Sequence, residues 1–109
     1  MSTINRSEFL SFKPKTQLAT LPAGQVTVRE PSAAEVVQFS QMQTSDPPHA
    51  PAWLVIRCAH DAAGNPMFAA DDLQTVSDAP YTVLEPIVTA ALDLAGIGAK
   101  AAAATPPKT

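Results

Sequence analysis

Residues Pro51–Asp61 read PAWLVIRCAHD, and the fold class turns on whether they form a helix or a strand. Trp53, Leu54, Ile56 and Cys58 place apolar groups around most of a helical wheel. Pro51 stands where a first helical turn tolerates proline. The β-rich core WLVI also suits a buried strand, which is the rival reading. Taken as a helix, this segment is the centre of a mainly helical domain.

The flanks support the helical reading. Upstream, EPSAAEVVQFSQMQ (30–43) begins with Ser32 and, three residues on, Glu35. That is the spacing of a capping box, in which each side chain satisfies the other's backbone N–H. Val36, Phe39 and Met42, with Val37, then supply an apolar stripe. The breaker-rich TSDPPHAP (44–51) ends that helix and forms a loop. Before it, KTQLATLPAGQVTVRE (15–30) alternates Thr16, Leu18 and Thr20 with Gln17 and Ala19, and continues with β-branched Val26, Thr27 and Val28. This predicts a hairpin about Pro22-Ala23-Gly24. NRSEFLSFKP (5–14) predicts a short first helix capped by Asn5 or Ser7. Phe9 and Phe12 share one side of it, and Pro14 stops it.

Downstream, DAAGNP (61–66) is a turn and Met67-Phe68 a brief extended piece. AADDLQTVSD (69–78) predicts a short helix with Asp71 and Asp72 in its first turn, where the helix dipole favours them. Leu73 and Val76 face inward. Asp78 is then expected to cap the last helix, APYTVLEPIVTAALDLAG (79–96). Its inward side is expected to carry Tyr81, Leu84, Val88, Ala91 or Leu92, and Ala95, with Gly96 closing it. Pro86 removes one helix hydrogen bond, so a kink or break is expected there. The architecture is α+β, mainly α: a small helical domain with an N-terminal β-hairpin spanning 1–97. A disordered tail is expected over 98–109.

The chain has 109 residues, 46% of them hydrophobic, and a net charge of −3. Much of the apolar content is alanine, so the core is small. Arg6, Lys13, Lys15 and Arg29 make the first third basic, whereas Asp61, Asp71, Asp72, Asp78, Glu85 and Asp93 follow one another with no Lys or Arg between. Such asymmetry suits a solvated face; it also suits a partner-binding face or head-to-tail self-association. A nucleic-acid partner is not expected without a basic excess, and no segment has the ~18 apolar residues of a membrane span. The single cysteine excludes an internal disulfide, and the opening residues lack the apolar run of a signal peptide. A soluble cytoplasmic protein is the expectation.

HDAAGNPMFAADDL (60–73) collects a histidine and three aspartates close after Cys58. A zinc site needs repeated ligand pairs, and Cys-x-His occurs once. On a helix, Cys58 and His60 would point far apart. Asp71 and Asp72 are adjacent and diverge. Asp61-Ala-Ala-Gly64-Asn65 lacks the alternating ligands of a calcium loop, and no phosphate loop or nucleophile motif is present. No catalytic residues, cofactor or metal are expected, and the chain is not read as an enzyme. Gly64-Asn65-Pro66 forms the turn, with Phe68 pinning it to the core.

The order of these motifs resembles the tail assembly chaperones of long-tailed bacteriophages, of the lambda G-like minor tail protein class. The resemblance runs from about Lys15 to Gly96. It rests on Arg29, Glu30 and Ser32 at the step into the first long helix. Asp61, Gly64, Pro66 and Phe68 carry it at the turn, Asp72 and Leu73 in the acidic short helix, and Gly96 at the end of the last helix. This chain has Leu-Ala-Gly where that family often has Leu-Asn-Gly, and its 44–51 loop is unusually proline-rich. The resemblance implies a protein that binds the tape measure protein, keeps it soluble and helps recruit tail tube subunits. It would act in the host bacterial cytoplasm and be absent from the mature virion. It also implies that the tail could precede a frameshifted extension. Where that helix is not wholly buried, Trp53 and Leu54 are the candidate apolar contacts, with Asp71, Asp72 and Asp78 at their rim; a Trp53 packed in the core is the rival reading. The alternatives are a structural tail or connector component, and a small metal-binding enzyme.

Overall fold

The structure is a computed structural model that describes residues 3–97. The expected tail, the domain boundary before it and the frameshift junction lie outside the described residues. The elements run α1 (Arg6–Leu10), β1 (Thr16–Leu21), β2 (Gly24–Arg29), α2 (Ala33–Ser45), α3 (Ala50–Cys58), β3 (Ala59–His60), α4 (Leu73–Ser77) and α5 (Tyr81–Leu94). This is the expected α+β, mainly helical architecture. The hairpin gains a third strand, so the antiparallel sheet has the order β1-β2-β3.

The stretch 51–61 takes the helical reading as far as Cys58, and the strand reading of WLVI fails. WLVI is helical, and α3 buries Ala50, Ala52, Leu54, Val55, Ile56 and Cys58. At Ala59 the backbone turns extended, and Ala59 and His60 pair with Val28 and Thr27. His60 is therefore a strand residue, although the helical reading of 51–61 included it. It still serves the helix end: its Nδ1–H donates to the Cys58 carbonyl at 3.0 Å, one of the acceptors that α3 leaves unpaired.

The hairpin pairs Ala19 with Val26 and Gln17 with Val28 across a two-residue Pro22-Ala23 turn. Period-two alternation puts Ala19, Val26 and Val28 on the buried face and leaves Leu18 on the other, 56% exposed. α3 and α5 lie together, and α5 also packs on β1 and β2. The core is the space between them, filled by Val28, Phe39, Leu54, Val55, Val76, Leu84, Ile87 and Ala91.

Both long helices are closed by their own residues. Ser32 Oγ accepts from the Glu35 N–H at 3.1 Å and Glu35 Oε1 accepts from the Ser32 N–H at 2.9 Å, the capping box read from the sequence. Of the expected α2 stripe, Phe39 is buried and Val36 and Met42 half-buried, but Val37 is exposed. At the end of α5, Gly96 takes φ +79°. Its N–H donates to Asp93 and that of Ile97 to Leu92, closing a Schellman motif.

The start of α5 differs from expectation. Pro80 has ψ 142°, so the helix begins at Tyr81. Asp78 instead ends α4, where its Oδ1 accepts from Gln74 Nε2 at 3.1 Å. With that start, the inward stripe is Leu84, Ile87, Ala90 and Ala91, and Tyr81 is 70% exposed. Pro86 does not break α5, which is one helix through to Leu94.

Candidate protein-binding surface

The aspartates of the 60–73 stretch are mostly employed by the backbone. Asp61 Oδ1 accepts from the N–H groups of Ala63 and Asn65, at 2.9 and 3.0 Å. Gly64 beside them takes φ +87°, where a Cβ would be strained. Asp72 Oδ2 accepts from the Ala69 N–H at 2.8 Å and steadies the 3-10 turn that leads into α4. Phe68 is half-buried and packs on the core as the expected pin. Asp71 and Asp78 are exposed, and Asp72 is half-buried.

Cys58 is fully buried, and burial pushes its thiol up to about 11. It is a packed side chain that stays protonated near neutral pH. Among the described residues, no three His, Cys, Asp or Glu side chains gather as a metal-binding group. No helix among them is long and apolar enough to cross a membrane.

Two polar ties hold the surrounding elements. Arg29 Nη1 and Nη2 donate to Glu35 Oε1 and Oε2 at 2.7 and 2.8 Å, joining the end of β2 to the start of α2. The Arg29 hydrogen bonds hold the Glu35 carboxyl down to about 2. In the second tie, His49 Nδ1 lies 3.0 Å from Asp46 Oδ1 and its Nε2 lies 3.1 Å from Gln74 Oε1. These acceptors, Asp46 foremost, raise the His49 pKa and favour the doubly protonated ring. The loop between α2 and α3 is thereby clasped to α4.

Of the two apolar contacts expected on α3, Leu54 is 1% exposed and lies in the core, so it presents no surface to a partner. Trp53 is half-buried at the edge of the core. It lines a cavity of about 280 Å³ between α3 and the 66–73 segment. Ile56, Phe68 and Leu73 are its other large apolar lining residues, and Arg57 and His60 stand in its wall. The Arg57 guanidinium lies 5.4 Å from the Trp53 ring centroid, a cation–π contact. Arg57 was not singled out from the sequence, and His60 was weighed there only as a metal ligand beside Cys58. The spacing of Trp53 and Arg57, four apart on a helix, was the available signal.

A second apolar surface lies at the N-terminus. α1 is capped by Asn5, one of the two caps expected, in a capping box with Glu8, but it buries no residue. Phe9 and Phe12 meet edge to face at 6.4 Å and remain 64% and 73% exposed. Leu10 is exposed beside them. A five-residue helix has too little periodicity for the sequence to reveal which side is covered.

The fold is a β-hairpin leading into two packed helices, a pinned turn and a long closing helix. A solved structure that shares it is that of the bacteriophage HK97 tail assembly chaperone. It matches at a TM-score of 0.63 and 21% sequence identity, over 81% of this chain and 90% of that one. No protein-family model and no curated protein matches the sequence.

Proposed function

We propose that this chain is a phage tail assembly chaperone. It binds the tape measure protein, keeps it soluble and helps bring tail tube subunits to it. It works in the infected host's cytoplasm and leaves before the virion is finished. The observation that carries this is the likeness of fold to the HK97 chaperone, which extends over most of both chains. The surface is compatible: Trp53 and the Phe9–Phe12 pair expose aromatic area bordered by charge, as a holder of an amphipathic partner requires. Asp71 and Asp78 are exposed and supply an acidic surface outside the Trp53 cavity, which no carboxylate lines, whereas Asp72 is committed to its turn. No enzymatic step belongs to this reading.

Co-expression with the tape measure protein of the same phage tests it. Tape measure protein that is soluble and co-purifies with this chain is the expected result; failure of the wild-type chain to bind it overturns the proposal. Unchanged binding by the Asp71→Lys, Asp78→Lys double variant removes only the acidic surface. Presence of the chain in purified particles would make it a structural tail component instead.

A further inference from the structure

We infer that the cavity between α3 and the 66–73 segment is a docking groove for an acidic amphipathic segment of a protein partner. An apolar side chain of that segment sits against Trp53 and Phe68, and its carboxylate meets Arg57. This deepens the partner-binding reading above by naming the partner's chemistry.

Size comes first. A cavity of about 280 Å³ lies at or below the small end of ligand pockets, ~300–1,000 Å³, and suits one or two protein side chains. Its apolar lining, from Trp53, Ile56, Phe68 and Leu73, favours an aliphatic or aromatic insert.

Charge decides which segment brings that insert. Three cationic or ionisable basic side chains line the cavity: Arg29, Arg57 and His60. Arg29 is occupied by the Glu35 carboxylate on both of its terminal nitrogens. Arg57 is exposed, and among the described residues no carboxylate lies within ion-pair distance of it. The Trp53 ring holds its guanidinium at the cavity, so little further ordering is needed when a carboxylate arrives. The His60 ring is fixed by its bond to the Cys58 carbonyl and adds no negative charge. No Asp or Glu lines the cavity. A planar guanidinium beside an apolar slot matches a carboxylate that flanks an apolar side chain.

The chain has a single tryptophan, so its fluorescence reports on this groove alone. Two synthetic helical peptides of about 18 residues, long enough to hold helical structure, serve as probes. They share one leucine stripe and differ in flanks of Glu or of Lys. The Glu peptide is expected to shift Trp53 emission saturably and to bind at least about tenfold more tightly than the Lys peptide. Arg57→Glu should reverse that order, and Arg57→Lys should keep it. Equal binding of both peptides overturns the inference, as does an unchanged order in Arg57→Glu. So does a Trp53 response only to a single-stranded oligothymidylate, which would mark a base-stacking site. Arg57 is exposed, so circular dichroism should show the variants folded. If the tape measure protein binds the wild type and Arg57→Glu equally while the Glu peptide fails, the groove falls and the proposed function stands. If the peptides behave as expected and the tape measure protein does not bind, the reverse holds.

Discussion

The Glu35 carboxylate receives the Ser32 N–H and both terminal nitrogens of Arg29, so one side chain closes the first turn of α2 and ties it to β2. Its pKa of about 2 lies below the ordinary value near 4.5, so Glu35 stabilises the fold fully only above about pH 4.5. That contribution is lost as the pH falls towards 2, because only the unfolded chain takes up the proton readily over that range. Both side chains keep partial exposure, 25% for Arg29 and 15% for Glu35, so solvent screening reduces the full linkage value. Glu35→Gln should cost about 1–2 kcal/mol at pH 7. Urea titrations of wild type and variant at pH 7 and pH 3 check this: the gap between them should narrow at the lower pH. A gap of the same size at both would show that the carboxylate charge is not what stabilises the joint.

At the scale of the element, α5 holds a proline at its sixth residue and still runs unbroken. Pro86 has no N–H to offer the Thr82 carbonyl, and its ring crowds the preceding turn. Ile87, Ala90 and Ala91 beyond it are buried, so tertiary packing overrides the local preference. Pro86→Ala should therefore raise stability, by on the order of 1 kcal/mol, since the missing hydrogen bond can then form. Thermal unfolding followed at 222 nm checks it; a lower midpoint would mean that the ring's own packing matters more than the lost bond. The same helix shows what the sequence could and could not say. Its end was legible because Gly96 is a local signal, closed within its own turn. Its start was not. Asp78 and Pro80 fit a cap two residues earlier equally well, and the choice fell to α4, whose Gln74 takes Asp78. Leu84 and Ala91 of the expected stripe are buried, whereas Tyr81 is exposed and Ile87 and Ala90 take the inward positions. β3 was hidden for a related reason: two residues carry no alternation, and their pairing to Val28 and Thr27 is a tertiary event.

Across the whole molecule, the residues that carried the family resemblance turn out to be joints. Ser32 caps, Asp61 and Gly64 shape a turn, Phe68 pins it, Asp72 steadies another turn and Gly96 ends a helix. The fold was therefore readable from short motifs, because each motif acts within a few residues of itself. The proposed partner groove was not, since Trp53, Arg57, His60 and Phe68 come together only after the chain has folded. Phe9 and Phe12 make the same point from the opposite side. They are among the largest apolar residues in the chain, yet α1 contributes nothing to the core. Phe9→Ser with Phe12→Ser should leave the unfolding free energy within about 0.5 kcal/mol of wild type, as for a surface change. Leu84→Ala, which empties a buried site, should cost about 2–5 kcal/mol. If the aromatic pair belongs to the partner surface, the serine variant should also lose affinity for the tape measure protein while its melting curve stays in place. Loss of stability in the serine variant would place the pair in the fold's own packing, and unchanged binding would remove it from the surface proposed above. Measuring unfolding and binding on the same preparation separates these outcomes, because exposed aromatic area has no other way to leave stability untouched and still change association.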